Sequence, residues 1–420
     1  MRLAIGLAWM AASLMAASND TFLIRGVTVH PVSSAKVEGA MLLVVDGKIS
    51  EIGVKLAAPK GTRVIDAKGL HVYPGMIDSA TEVGLSEIGS VRETSDTAEL
   101  GDFKPQLRTA VAVNPASEHI PVIRANGIVA AMALPEGGVI SGQASLMHLD
   151  GWTWEEMAVR RDAAMVLNFP TLSAGRLRFF GETAPPFSET RRTYENRVKQ
   201  LQDYLEQARG YQKAKGAGGP GFRTNLAFEA MLPVIEGKVP VMIQATRERA
   251  IREAIAWAAK EKLKVVLAGI RKPGTTLAEL KAKNIPVILG PTQELPLAED
   301  DPYDEAYTLP AELHKAGVKF AFGSFGNQFS RNLPYQAASA AGFGLPYEEA
   351  LKSVTLYPAQ IWGVESMMGS VEKGKWADLI VTDGDPLEVK TQVKMMFIKG
   401  REVDLESKHT RLYKRYLARP

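Results

Sequence analysis

The chain has 420 residues, 46% hydrophobic and 23% charged, an ordinary composition for a soluble globular protein that gives no sign of disorder. Fifty basic residues against 47 acidic ones leave a formal net charge of +3, too balanced for the concentrated basic face of a nucleic-acid-binding protein. No cysteine occurs, which excludes disulfides, thiolate metal sites and cysteine nucleophiles and leaves the chemistry to oxygen and nitrogen side chains, with only six histidines among them.

The chain opens on Met1-Arg2, an apolar run from Leu3 to Ala17, and then Ser18-Asn19-Asp20. A positive start, an apolar core shorter than the ~20 residues of a membrane span and small residues before a polar junction read as a secretory signal over 1–18. The alternative is an uncleaved anchor. Cleavage implies a periplasmic or secreted protein with no membrane association afterwards. Between Thr21 and Asp66, short apolar runs (Phe22–Ile24, Val27–Val29, Met41–Val45, Ile49–Ile52) alternate with turn formers such as Asp46-Gly47-Lys48 and predict a small antiparallel sheet. Ala377–Thr382 and Val393–Ile398 echo it at the far end. Neither end has enough strands to stand alone, so residues 19–72 and 369–405 together predict one composite β-sandwich.

The middle, 73–368, alternates strand candidates (Tyr73–Ser79, Gly127–Leu134, Val241–Ala245, Val265–Gly269, Pro286–Gly290, Lys319–Gly323) with helical stretches such as Arg247–Lys260 and Leu277–Lys283. That pattern predicts an α/β fold with a parallel sheet, and this many units favours a (β/α)8 TIM-like barrel. A long charged helix is expected over Glu189–Lys213, with Tyr194, Val198, Leu201, Leu205 and Ala208 on one face. The third and fourth barrel strands are not placed. Residues 406–420 form a basic tail, a solvated terminal helix or a frayed end.

At Val72-Tyr73-Pro74-Gly75-Met76-Ile77-Asp78 the chain resembles the first barrel strand of the amidohydrolase superfamily. The resemblance continues in order through Ala350–Ala359, Gly369–Leu379 and Asp383-Gly384-Asp385-Pro386-Leu387, and Gly138–Gln143 and Trp152–Met157 look like the imidazolonepropionase-like branch. The resemblance implies a hydrolase of amide or cyclic-amide C–N bonds that uses water activated by zinc, the family's default metal. A bound divalent metal lowers the pKa of its water from ~15.7 to about 7. Carried onto this chain, the family's His-x-His positions are Ala80 and Glu82. The fifth-strand histidine position is Gln244, the sixth falls at Ala268 or Gly269, and the eighth-strand aspartate position is Phe325. No bridging lysine is assigned. These residues have little or no zinc affinity, so no metal is expected and no catalytic residue is assigned.

Six residues make the candidate pocket: Asp78, Glu82, Gln244, Ser324, Asn327 and Arg331. Arg331 either forks onto a carboxylate or braces its own loop. Glu82, Glu87, Glu93, Asp96 and Glu99 follow the first strand and would cover the barrel mouth, either as paired carboxylates for acid–base work or as a solvated acidic loop. Of the histidines, His119 and His148 could approach the mouth, and His71 starts the first strand at the wrong end for barrel chemistry. Two readings stay open: an exported hydrolase with a departed mechanism, or a pseudoenzyme. The latter would hold a small-molecule or peptide-like ligand, or pair with an active paralogue; a homo-oligomer is also open.

Overall fold

The computed structural model describes residues 20–172 and 185–419, so the expected signal segment lies outside the described residues. Strands β1 (Phe22–Val29), β2 (Val37–Val45), β3 (Lys48–Gly53), β4 (Arg63–Asp66) and β5 (His71–Pro74) come from the beginning of the chain. They join β14 (Leu379–Thr382), β15 (Val393–Ile398) and β16 (Arg401–Glu402) in one mixed sheet ordered β16-β15-β14-β5-β1-β2-β3, with β4 also paired to β1. The β2–β3 hairpin turns at Asp46-Gly47, both with positive φ (49° and 76°), as a two-residue turn matched to strand twist requires. The two chain ends share a core: Phe22 stacks on Phe397 with ring centroids 4.4 Å apart, among Ile24, Leu42, Val44 and Ile49.

The central sheet is ordered β13-β12-β11-β10-β9-β8-β7-β6. Its strands are β6 (Met76–Thr81), β7 (Ile128–Ala133), β8 (Ile140–His148), β9 (Ala158–Asn168), β10 (Val241–Gln244), β11 (Val265–Ala268), β12 (Val287–Leu289) and β13 (Phe320–Phe322). The edges β13 and β6 approach each other, and Phe325 N donates to Ala80 O at 2.7 Å across the seam, so the barrel is nearly closed.

Two expectations are corrected. The first predicted strand is two strands: β5 ends in the terminal sheet, the chain crosses at Gly75, and β6 begins the barrel. His71 therefore belongs to the terminal sheet. Gly75 suits the crossing because a Cβ there would lie 2.1 Å from a Val129 methyl. Second, the barrel is not all parallel. β8 fills the third place and runs antiparallel to both β7 and β9. The physical reason is the connection: residues 134–139 are too few for the dozen or more that a parallel crossover needs, so the chain turns back as a hairpin.

The helix Phe187–Ala217 extends beyond its predicted ends at both sides. Leu201, Leu205 and Ala208 are buried on its predicted face, with Tyr194 and Val198 partly buried beside them. No helix among the described residues is long and apolar enough to cross a membrane.

Candidate functional site at the barrel mouth

In a barrel of this kind, ligand-binding groups gather at the C-terminal ends of the parallel strands. Parallel register places Asn168, Gln244 and Ala268 at one level, and the seam hydrogen bond sets Ala80 beside Phe325. Because β8 is reversed, its beginning lies at this mouth and its end at the opposite face. His148 is therefore at the far end of the barrel, bonded to Asp378 and away from the mouth.

Asp78 and Ser324 are brought together. Asp78 is fully buried on β6, and its Oδ1 accepts from Ser324 N at 3.0 Å and Ala80 N at 3.2 Å. Its Oδ2 is buried and meets no hydrogen-bond partner among the described residues. Burial pushes this carboxyl up to about 6, against the opposing pull of the Ser324 and Ala80 hydrogen bonds. The Ser324 hydroxyl sits in a network with Thr81 Oγ1 (3.0 Å), Ser330 Oγ (2.9 Å) and the Gly326 carbonyl (3.1 Å). Phe325 follows with φ of 51°, a left-handed conformation uncommon outside glycine, and is only partly buried. Asn327 is buried and donates to Ser86 O at 2.7 Å, tying the loop after β13 to the loop after β6.

A fold whose buried carboxyl has a raised pKa loses stability as that group ionises, so the loss sets in as pH climbs from ~4 through 6. Asp78→Asn should therefore gain stability relative to the unsubstituted chain over that window, by up to about 3 kcal/mol at neutral pH. Denaturation midpoints of both proteins at pH 4 and pH 7 measure it. A stability difference independent of pH would show that Asp78 does not ionise in this environment.

Glu82 is half-buried just past β6, and its amide donates to Gly326 O at 3.3 Å. Its carboxyl is raised to about 7, first by burial, then by the charge of Glu136 and a hydrogen bond with it. Glu136, in the tight loop between β7 and β8, was not singled out from the sequence. The available signal was an acidic residue immediately before Gly137-Gly138, whose positive φ values of 72° and 70° shape that hairpin.

The other expected residues separate. Ser324, Phe325 and Asn327 line a cavity of about 540 Å³ with Gln293, Glu294 and Gln336. Gln244 is exposed and lines a different cavity of about 500 Å³ with Asn168 and Arg247. Arg331 turns outwards, its Nη1 3.3 Å from His409 Nδ1 on the C-terminal helix, and its carbonyl accepts from Asn126. Of the acidic loop, Glu93, Asp96 and Glu99 are exposed, and Asp96 and Glu99 line a third cavity of about 290 Å³. Glu87 has one buried oxygen without a partner among the described residues, and its carbonyl meets His119 Nε2 at 3.0 Å. The carboxylate that pairs with Glu82 thus comes from another loop.

A zinc ion needs three or four imidazole, thiolate or carboxylate donors at about 2.0–2.3 Å. Among the described residues no group of three or more histidines, cysteines, aspartates and glutamates could hold one.

The amidohydrolase family model matches residues 176–403. Amidohydrolase tasK of Hapsidospora irregularis is 24% identical over 400 residues, a match spanning 86% of this chain and 39% of that protein. A dihydroorotase of Citrifermentans bemidjiense is 37% identical over 109 residues, 25% of this chain and 24% of the dihydroorotase. The chain thus spans well under half the length of these relatives. Among solved structures, an amidohydrolase from Thermotoga maritima MSB8 superimposes with a TM-score of 0.79 at 27% identity, covering 91% of this chain and 99% of that one.

Proposed function

This chain belongs to the amidohydrolase family, and from that premise we propose that it hydrolyses an amide or cyclic-amide C–N bond with a carboxyl pair in place of the family's metal centre. By homology it is a hydrolase. The finer reading rests on one observation, the half-buried Glu82 carboxyl raised to about 7 beside Glu136, on the loop after β6 whose backbone is bonded to Gly326. In this reading Ala80, Gln244 and Phe325 take the places where the family resemblance expects metal ligands, and none of the three is the expected donor.

A carboxyl with a pKa near neutrality can take a proton at one moment and return it at the next. In the proposed reaction Glu82 removes a proton from water as the oxygen attacks the carbonyl carbon. The C–N bond then breaks, and the same proton goes to the leaving nitrogen. Hydroxyl and amide groups around Ser324 supply donors and acceptors to orient the substrate. The likeness to an imidazolonepropionase-like branch supports cyclic amides as substrates, and the Met1–Ser18 pattern supports a periplasmic or secreted location.

The test is hydrolysis of a panel of amides, lactams and dipeptides by chelator-treated protein. Turnover that survives chelation and does not rise with added zinc is expected. Turnover that appears only with zinc overturns the carboxyl-pair mechanism. A second reading, a ligand-holding relative without catalysis, draws on Phe325, whose ring stands at the mouth where the family has an aspartate. Absence of turnover on the whole panel, together with saturable binding of one of its members, would favour that reading.

A further inference from the structure

We propose that the C-terminal helix Lys408–Leu417 is a peripheral membrane contact that lies on anionic lipid headgroups. Its start is fixed by Ser407, whose side chain accepts from Thr410 N while the Thr410 hydroxyl accepts from Ser407 N. None of its residues is buried, yet its side chains are sharply sorted. At ~100° per residue, Tyr413, Tyr416 and Leu417 fall within an arc of roughly 100°, and Lys408, Arg411, Lys414 and Arg415 occupy the opposite arc. Tyr413 is 67% exposed, Tyr416 50% and Leu417 71%, values that leave an apolar stripe facing water. Residues 408–420 carry five lysines and arginines and no carboxylate.

The body of the protein does not account for this sorting. Arg411 reaches Glu118 and Lys414 reaches Glu406, both exposed ion pairs of small energetic weight. Lys408 and Arg415 are exposed. A short basic helix with tyrosines and a leucine along one side matches the headgroup boundary, where aromatic rings sit between water and acyl chains and cations meet lipid phosphates. Negative charge on the partner follows from the absence of any acid in the segment. This departs from the sequence expectation of a chain with no membrane association.

The experiment is co-sedimentation of the full chain with phosphatidylcholine vesicles and with vesicles of equal parts phosphatidylcholine and phosphatidylglycerol. Preferential binding to the mixed vesicles, falling at high salt, is expected. Lys408→Gln and Arg415→Gln should each weaken it about fivefold, and Tyr416→Ser with Leu417→Ser should weaken it further. The helix meets the body only through partly exposed contacts, so an unchanged melting temperature together with unchanged helical circular dichroism will show that these variants stay folded. Equal sedimentation with both vesicle types, or binding unaffected by the substitutions, overturns the proposal. So does salt-sensitive retention on immobilised polyglutamate without vesicle binding, which would assign the helix to an acidic protein.

Discussion

Glu82→Gln is expected to lower kcat/KM by at least about a hundredfold on whichever amide, lactam or dipeptide is turned over, the usual weight of a general acid–base group. Glutamine keeps the length and the hydrogen-bonding capacity of the side chain, so a loss reports the proton and not the shape. The pH profile gives a second readout. Glu82 is raised first by burial and then by Glu136, so in the proposed reaction the unsubstituted protein should gain activity as pH rises through about 7, where the base loses its proton. Glu136→Gln removes the neighbouring charge while leaving burial in place. Its profile should turn on at lower pH, with the maximal rate reduced less than in Glu82→Gln. Equal activity of Glu82→Gln and the parent protein would remove the carboxyl pair from the mechanism and leave the family resemblance without a local explanation.

The largest effect on stability should come from the opposite end of the barrel. Asp378→Ala is expected to cost about 3–5 kcal/mol, because removing one partner of a buried pair leaves the other polar group unmatched. Asp378 is 3% exposed and serves three neighbours. Its Oδ2 meets His148 Nε2 at 2.9 Å, its Oδ1 accepts from Lys399 N at 2.7 Å, and its carbonyl accepts from Gly75 N at 2.9 Å. Those contacts join the end of β8, the β15–β16 turn and the crossing between sheet and barrel. Lys399 stands over Trp376, its ammonium 5.0 Å from the ring, and burial holds its pKa below the ordinary value. His148→Ala should cost less, since Asp378 keeps its bond to Lys399 N, and the double variant scarcely more than Asp378→Ala, since the His148–Asp378 bond is already gone. Denaturant unfolding of the four proteins measures the cycle. A cost below about 1 kcal/mol for Asp378→Ala would mean that the junction is held by apolar packing alone.

The stretch Gly369–Leu379 is legible as part of the family's closing signature, but nothing local in it foretells that Asp378 meets His148. The two are 230 positions apart, and the reversal of β8 is what carries His148 to the far face. A related limit applies to Glu82. Its place after the first strand is readable, and along the sequence its acidic neighbours are Glu87, Glu93, Asp96 and Glu99 of the same loop. The partner is Glu136, from a different loop, because strand ends that are neighbours in the barrel set distant loops side by side. Arg331, legible either as a carboxylate grip or as a loop brace, instead meets His409 of the terminal helix.

By itself the sequence determined what local rules govern: the apolar runs of the strands, the Asp46-Gly47 turn, the buried face of the long helix, and the ordered motifs that carry the family. Those depend on neighbours a few residues away, where backbone preference and burial of a side-chain stripe decide. Tertiary structure alone decided the reversed β8, the split of the first strand at Gly75, the Asp78–Ser324 and Glu82–Glu136 contacts, and the separation of Gln244 from Ser324. Each of these is set by barrel closure, which brings together groups far apart along the chain and, by burying them, alters their affinity for protons.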